Sequence, residues 1–321
     1  MKETPELTCI CCGSDSFRRF RTLKGYTLFR CRVCSFVTVH PLPDLQTLEA
    51  HYNATRTGEA KLQQRRQLVA GFLATSNNPK RDFFSSVLSQ VSAMLGKPAL
   101  DILEVGSGLG VFVQHANSTG HHATGTEVTK EYADMSSESL NGRIIHVEGD
   151  RYTDRFTRAS FDLVYMEHVF EHVLHPDAIL SQVKQLLRPG GILLLAVPNM
   201  DSLSSRLQGK YWSWAVPPDH LYFYNRLNLS LLLEKHGLAV TESVAMDYYH
   251  RSIPQMFSLR RALNVCRTLC GLERKPYKYA YPETLGDHLI LAPYYLLYPL
   301  IRRSWKRWGG SELVVFARCP T

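Results

Sequence analysis

From Ala99 to Val197 the chain alternates short apolar runs with stretches of helical period, and no other feature restricts its fold as much. ALDILEV, HATGTEV, RIIHV, FDLVYM and ILLLAV read as strands, with helices starting at Val111 and Lys130 and a third, PDAILSQVKQLL, closed by RPGG. Ahead of them, Asn78 and Pro79 supply an N-cap and first-turn pair for a helix reaching Leu95, with Phe83, Phe84, Val87, Leu88, Val91, Met94 and Leu95 at helical spacing. Such alternation predicts a doubly wound, Rossmann-like α/β sheet whose ligands sit outside the carboxyl ends of its strands. The ends that matter are Glu104 onward, Glu127, Glu148 to Asp150, and Met166 onward.

The first of these ends is EVGSGLG, where Gly106, Gly108 and Gly110 form GxGxG around Ser107. Val111 follows directly, so the dinucleotide pattern GxGxxG is not met, and no GK[ST] follows to hold a triphosphate. A turn without side chains lets a ligand touch backbone. The carboxylate of Glu104 just before it opposes phosphate and favours an amine or a sulfonium. Glu127, at the next strand end, is placed to accept from two ribose hydroxyls, and Asp150, at the third, from an adenine amino group.

With ILEVGSGLG, GTEV, VEGD, FDLVYMEHVFEHV and RPGGILLLAVPN, residues from about 99 to 250 resemble the class I S-adenosylmethionine-dependent methyltransferases. The opening cysteines followed by PLPDLQTLEAHY further resemble the subgroup with an N-terminal zinc ribbon, in which sugar, polysaccharide and natural-product methyltransferases are frequent. The resemblance implies a seven-stranded sheet and S-adenosyl-L-methionine as cofactor. It also implies that the glycine turn and Glu104 hold the methionine portion, Glu127 the ribose and Asp150 the adenine, with Glu167 at the same edge.

Methyl transfer from a sulfonium is an in-line displacement that needs alignment, exclusion of water and, for a hydroxyl acceptor, a base with a pKa near working pH. That points to histidine. His168, just past FDLVYM, is the expected base, with Glu171 and His172 at i+3 and i+4 to orient it or touch the acceptor. A metal reading of HxxEH is disfavoured, since the zincin order is HExxH and no distant third ligand is evident. The segment WSWAVPPDHLYFYN offers His220 as a second base. Tyr211, Trp212, Trp214 and Tyr222 are aromatic faces for the acceptor in and beside that segment.

Cys9, Cys12, Cys31 and Cys34 form two CxxC pairs separated by eighteen residues, the spacing of two knuckles that share one structural Zn²⁺. Gly13 suits the turn after the first pair, whereas Ser35 stands where a glycine is expected after the second. The expected organisation is a zinc ribbon over 1–40, a helical linker over 41–97 and a cofactor-binding domain over 98–321 interrupted by an insertion at 251–310.

That insertion carries the whole excess of positive charge: eleven Lys+Arg against three Asp+Glu, with the rest of the chain neutral. It also holds the apolar run 289–301 and RRSWKRW, so it is expected at an anionic membrane surface, as a lid, or at a homodimer contact. The thirteen-residue run is shorter than the ~18 residues a spanning helix needs. With no apolar secretion signal at the start, the expected compartment is the cytoplasm, peripheral at the inner membrane face. The leading expectation is O-methylation of a hydroxylated small-molecule, sugar, glycan or lipid-linked acceptor. Nucleic acid is disfavoured, because PLPDLQTLEAHY follows the ribbon in the manner of the sugar-type enzymes it resembles. A quinone or phenol methyltransferase, an RNA base methyltransferase and a zinc-ribbon scaffold binding the cofactor weakly remain as alternatives.

Overall fold

A computed structural model describes residues 6–74, 78–140, 143–147, 155–209, 212–246 and 310–321. The expectations for Glu148, Asp150 and Tyr211, and for the 251–310 insertion apart from Gly310, lie outside these residues.

The chain opens with three antiparallel strands, β1 (Phe17–Leu23), β2 (Tyr26–Cys31) and β3 (Val37–His40), then α1 (Leu45–Arg56), α2 (Glu59–Ala74) and α3 (Pro79–Leu95). The ends of α3 follow from its sequence. Asn78 accepts from the Lys80 N–H and Pro79 needs no donor, while Gly96 takes the left-handed conformation that stops the helix. Next come β4 (Asp101–Val105), α4 (Val111–Ser118), β5 (His122–Glu127), α5 (Lys130–Leu140), β6 (Arg143–His146), β7 (Phe161–Glu167) and α6 (Pro176–Leu186). The chain continues through β8 (Leu187–Pro198), α7 (Leu203–Gln208), β9 (Tyr222–Phe223), α8 (Arg226–Lys235), β10 (Ala239–Met246) and β11 (Glu312–Arg318). RPGG does not close α6 as expected. Arg188–Gly191 already belong to β8, and β8 resumes parallel register with β7 after an irregularity between Phe161 and Leu163.

Seven strands form one sheet in the order β10-β11-β8-β7-β4-β5-β6. Pairing is parallel from β8 to β6, and β11 is antiparallel to both its neighbours. The centres of β7 and β8 are apolar because both faces of the sheet are covered there. Alternate residues sort cleanly between two cores. Leu103, Val164, Met166, Leu193 and Leu195 face α6, α8 and the N-terminal strands, while Ile102, Leu163, Tyr165, Ile192 and Leu194 face α3 and α4. The order in which strands are added reverses between β4 and β7, the kind of switch point at which ligands of such sheets bind.

The three N-terminal strands do not stand alone. β9, from the segment expected only to cover the acceptor, joins them as a fourth strand in the order β1-β2-β3-β9, pairing Val37 with Phe223 and Thr38 with Tyr222. Asn228 and Lys235 of α8 donate to the carbonyls of Cys34 and Ile10, docking the cysteine knuckles on the same face.

Candidate active site

The turn from β4 into α4 keeps Gly106, Gly108 and Gly110 at φ 71°, 55° and 68°. These left-handed values carry a steric cost for any side chain. At Gly106 space is also decisive, since a Cβ would lie 2.5 Å from Val169 Cγ2. The backbone of this turn therefore touches the segment that follows β7. Glu127 holds the turn from the other side, its Oε2 accepting from the Gly108 N–H at 2.8 Å and its Oε1 from the Thr129 N–H at 2.8 Å. Each oxygen keeps a lone pair for a further donor such as a ribose hydroxyl. Ser107 is buried and its hydroxyl donates to the Thr126 carbonyl, so its side chain ties the turn to β5.

Glu104 is buried and its Oε2 has no hydrogen-bond partner. Burial, and then the like charge of Glu167, push its carboxyl well above the usual range, against the opposing pull of Lys80. Glu167 is itself held by the Tyr165 hydroxyl at 2.9 Å and by Lys80 Nζ at 3.3 Å. Two carboxyl groups thus lie at neighbouring strand ends with one ammonium beside them, a setting with room in its charge balance for a ligand's ammonium. Lys80 was not found from sequence. It sits in the first turn of α3, far from every strand end, and only the packing of that helix brings it here.

Beyond β7 the chain turns sharply at His168, a non-glycine residue at φ 52°. The strained backbone is anchored by its N–H on the Ala196 carbonyl at 2.8 Å. His168 Nδ1 lies 3.3 Å from Glu171 Oε1, and its ring stacks on Trp214 with centroids 4.5 Å apart and planes 9° from parallel. His172 Nε2 and His220 Nε2 each lie 3.9 Å from that same Oε1. The rings of His172 and His220 meet edge to face at 4.6 Å. One buried carboxylate is therefore ringed by three imidazoles, the second and third brought together by a bend of the chain that spacing alone cannot show.

The electrostatics follow from burial. Desolvation alone would raise the Glu171 carboxyl, but the His168 hydrogen bond and the surrounding imidazoles hold it down at about 2. Desolvation, then the neighbouring His172, pushes His220 down to about 3, and His172 is lowered chiefly by its own burial. Burial thus favours the neutral form of His172 and His220, while the hydrogen bond from His168 favours the ionised form of Glu171.

Two of the expected acceptor aromatics are core residues instead. Trp212 is buried against Leu28, Val37, Val39 and Phe223, and Tyr222 packs on Phe36 with its hydroxyl donating to the Leu174 carbonyl. Tyr222 lies in β9, which is taken into the ribbon sheet, and Trp212, ten residues before it, packs on Phe223 of that strand. Trp214, half-buried and stacked between His168 and His220, stays at the cluster. His51 of α1 joins the site's edge, 3.0 Å from Asp219 Oδ1, and was not singled out from sequence because it lies in a polar helix without periodic signal.

At the N-terminus, the sulfurs of Cys9, Cys12, Cys31 and Cys34 lie within 4.8 Å of one another, with Cys9–Cys34 at 3.5 Å and Cys12–Cys31 at 3.6 Å. A tetrahedral ion with Zn–S bonds of about 2.3 Å needs sulfurs about 3.8 Å apart, so the set fits. The two knuckles share one backbone scheme: Gly13 N–H donates to the Cys9 carbonyl at 2.8 Å and Ser35 N–H to that of Cys31 at 3.2 Å. Ser35 adopts φ 62°, the glycine conformation its position requires.

A profile described as a methyltransferase domain matches residues 61–243, more than half of the chain. The chain belongs to this methyltransferase-domain family. The domain is of the class I, S-adenosylmethionine-dependent kind. Among curated relatives, a ubiquinone biosynthesis O-methyltransferase of Haemophilus ducreyi is 31% identical over 130 residues, 38% of this chain and 53% of that protein. A sterol 24-C-methyltransferase of Gibberella zeae is 29% identical over 102 residues, 30% of this chain and 27% of that one. A solved S-adenosylmethionine-dependent methyltransferase from Thermotoga maritima is 18% identical with a TM-score of 0.45, covering 74% of this chain and 89% of that one. The chain spans only about half or less of the first relatives it matches, at 39%, 53% and 27% of their lengths.

Proposed function

We propose that this methyltransferase moves the methyl group of S-adenosyl-L-methionine to a hydroxyl of a small-molecule acceptor, with His168 as the base. One observation carries the reading: the glycine turn touches Val169, the residue next to His168, so a donor on the turn and an acceptor at the imidazole share one crevice. The glycine turn and Glu104 receive the methionine portion and Glu127 the ribose. With Glu171 accepting from Nδ1–H of His168, Nε2 is the ring atom assigned to take the acceptor's proton. When bound, S-adenosyl-L-methionine would supply an electrophilic methyl group that the acceptor oxygen takes with loss of a neutral thioether, and His168 Nε2 would take the hydroxyl proton. Trp214 keeps the imidazole plane fixed and dry.

Relatives named as O-methyltransferases support a hydroxyl acceptor, and phenolic and glycosyl hydroxyls present the same chemistry to His168. The four-cysteine cluster takes a structural Zn²⁺, in a ribbon domain near residues 1–40. All four positions are filled by protein, which leaves none open for water or substrate. Isothermal titration with S-adenosyl-L-methionine, followed by methyl-transfer assays over a panel of phenols, hydroquinones and nucleotide sugars, tests the reading. Saturable donor binding and an O-methylated product are expected; absence of donor binding overturns it.

A further inference from the structure

His220 supplies what HxxEH lacked in sequence, a distant third group beside Glu171 and His172. One ligand atom from each of these three residues lies within 4.8 Å of the others. Glu171 is wholly buried, and Oε1 faces two Nε2 atoms while Oε2 has no partner at all. Among the described residues no Lys or Arg pairs with this carboxylate; its ion-pair neighbours are histidines. A buried carboxylate without a cation carries a large desolvation cost. Nδ1 of His172 and of His220 are likewise buried without a hydrogen bond, although the carbonyls of Asp219 and Trp214 lie beside the two rings.

We infer that Glu171, His172 and His220 bind one divalent transition-metal ion, which takes the acceptor oxygen as a further ligand. Two imidazoles and a carboxylate suit Zn²⁺, Co²⁺, Mn²⁺ or Fe²⁺ better than a hard ion such as Ca²⁺. Bonds of about 2.1 Å place ligand atoms about 3.0–3.4 Å apart. The observed separations are 3.9 Å, so binding draws the two imidazoles about 0.5–0.9 Å closer to the carboxylate. Three protein ligands leave positions open, unlike the four sulfurs of the ribbon. The ion acidifies the bound hydroxyl, whose proton still goes to His168, outside the ligand set. This assignment rests on the methyl-transfer reading only for the identity of the added ligand.

The test uses the full chain with its ribbon loaded with zinc. Co²⁺ is titrated in and followed by absorption, with bound metal counted after desalting. Expected is about one further equivalent per chain, with d–d bands but no sulfur-to-cobalt charge transfer. In His172→Ala that equivalent is lost while S-adenosyl-L-methionine binding persists. Where His172→Ala does not fold, the wild-type spectrum decides by itself. No cobalt bands, or bands with sulfur charge transfer only, overturn the inference. Donor binding without the second equivalent sinks the metal and leaves methyl transfer standing. The second equivalent without donor binding does the reverse.

Discussion

Leu221 donates its backbone N–H to the Glu171 carbonyl at 2.9 Å, and its own carbonyl accepts from the Val39 N–H at 2.9 Å. Two successive backbone hydrogen bonds thus connect the cysteine-bearing sheet to the main chain of Glu171, whose carboxylate sits at the centre of the imidazole cluster. Loosening the ribbon should misplace Glu171 without touching the glycine turn. Cys31→Ser is expected to lower turnover at least about tenfold, since displacements near an ångström cost up to about a hundredfold. The Kd for S-adenosyl-L-methionine should change less than about twofold. Titration calorimetry beside steady-state kinetics checks this; equal losses in both would disconnect the ribbon from the site.

His168→Ala removes the base and leaves the donor cleft intact. Turnover should fall about a hundredfold or more while the donor Kd holds. His168→Gln is expected to be as slow, because it can hydrogen-bond but cannot take the proton. Unchanged turnover in both variants would move the base role to His220 or to none.

At the glycine turn, Gly106→Ala meets two obstacles, a backbone at φ 71° and Val169 Cγ2 at 2.5 Å from the new Cβ. The turn must shift, and donor affinity should fall by about two orders of magnitude, given strain of about 1–3 kcal/mol plus the clash. The double variant with Val169→Ala, which clears the steric obstacle alone, should recover part of that loss. Donor titration of the two variants separates conformation from space.

The strand ends, the three glycines, Glu127 and His168 could all be read in the sequence, since each depends on local pattern: apolar runs, a turn needing φ > 0, a polar residue just past a strand. What the sequence hid is set by long-range packing. Lys80 reaches Glu167 only because α3 covers the sheet, and His220 meets Glu171 only because β9 joins the ribbon. The same pairing takes Tyr222 into the core, with Trp212 packed on its neighbour Phe223, where an aromatic-rich loop had suggested an open acceptor face. Aromatic composition does not distinguish a lid from a strand.

Ser35 occupies a left-handed position at φ 62°, half-buried in the second knuckle, where Gly13 serves the first at φ 73°. Ser35→Gly relieves about 1–2 kcal/mol of steric cost and adds about 0.5–1 kcal/mol of unfolded-state entropy. A net gain of about 0.5–1 kcal/mol is expected, read as slower zinc release to chelator and a higher midpoint for the ribbon. A destabilised ribbon would mean that the Ser35 side chain contributes more than its backbone costs.

Asp162, at the opposite ends of the strands, is expected to contribute to acid stability. Its carboxylate is buried and accepts from Lys97, from Arg188 Nη1 at 2.9 Å and from the Asp101 N–H at 3.0 Å. Burial alone would raise its pKa, but these donors outweigh it and hold the group below its ordinary 3.8. A carboxyl whose folded pKa is depressed stabilises the fold above its unfolded pKa, and the stabilisation disappears as pH falls through the folded value. Asp162→Asn should therefore cost about 2 kcal/mol at pH 7, in the range for hydrogen bonds to charged groups, and cost progressively less below about pH 4. Urea unfolding of both proteins between pH 7 and pH 3 measures the difference. A cost that stays constant with pH would assign the effect of Asp162 to shape alone.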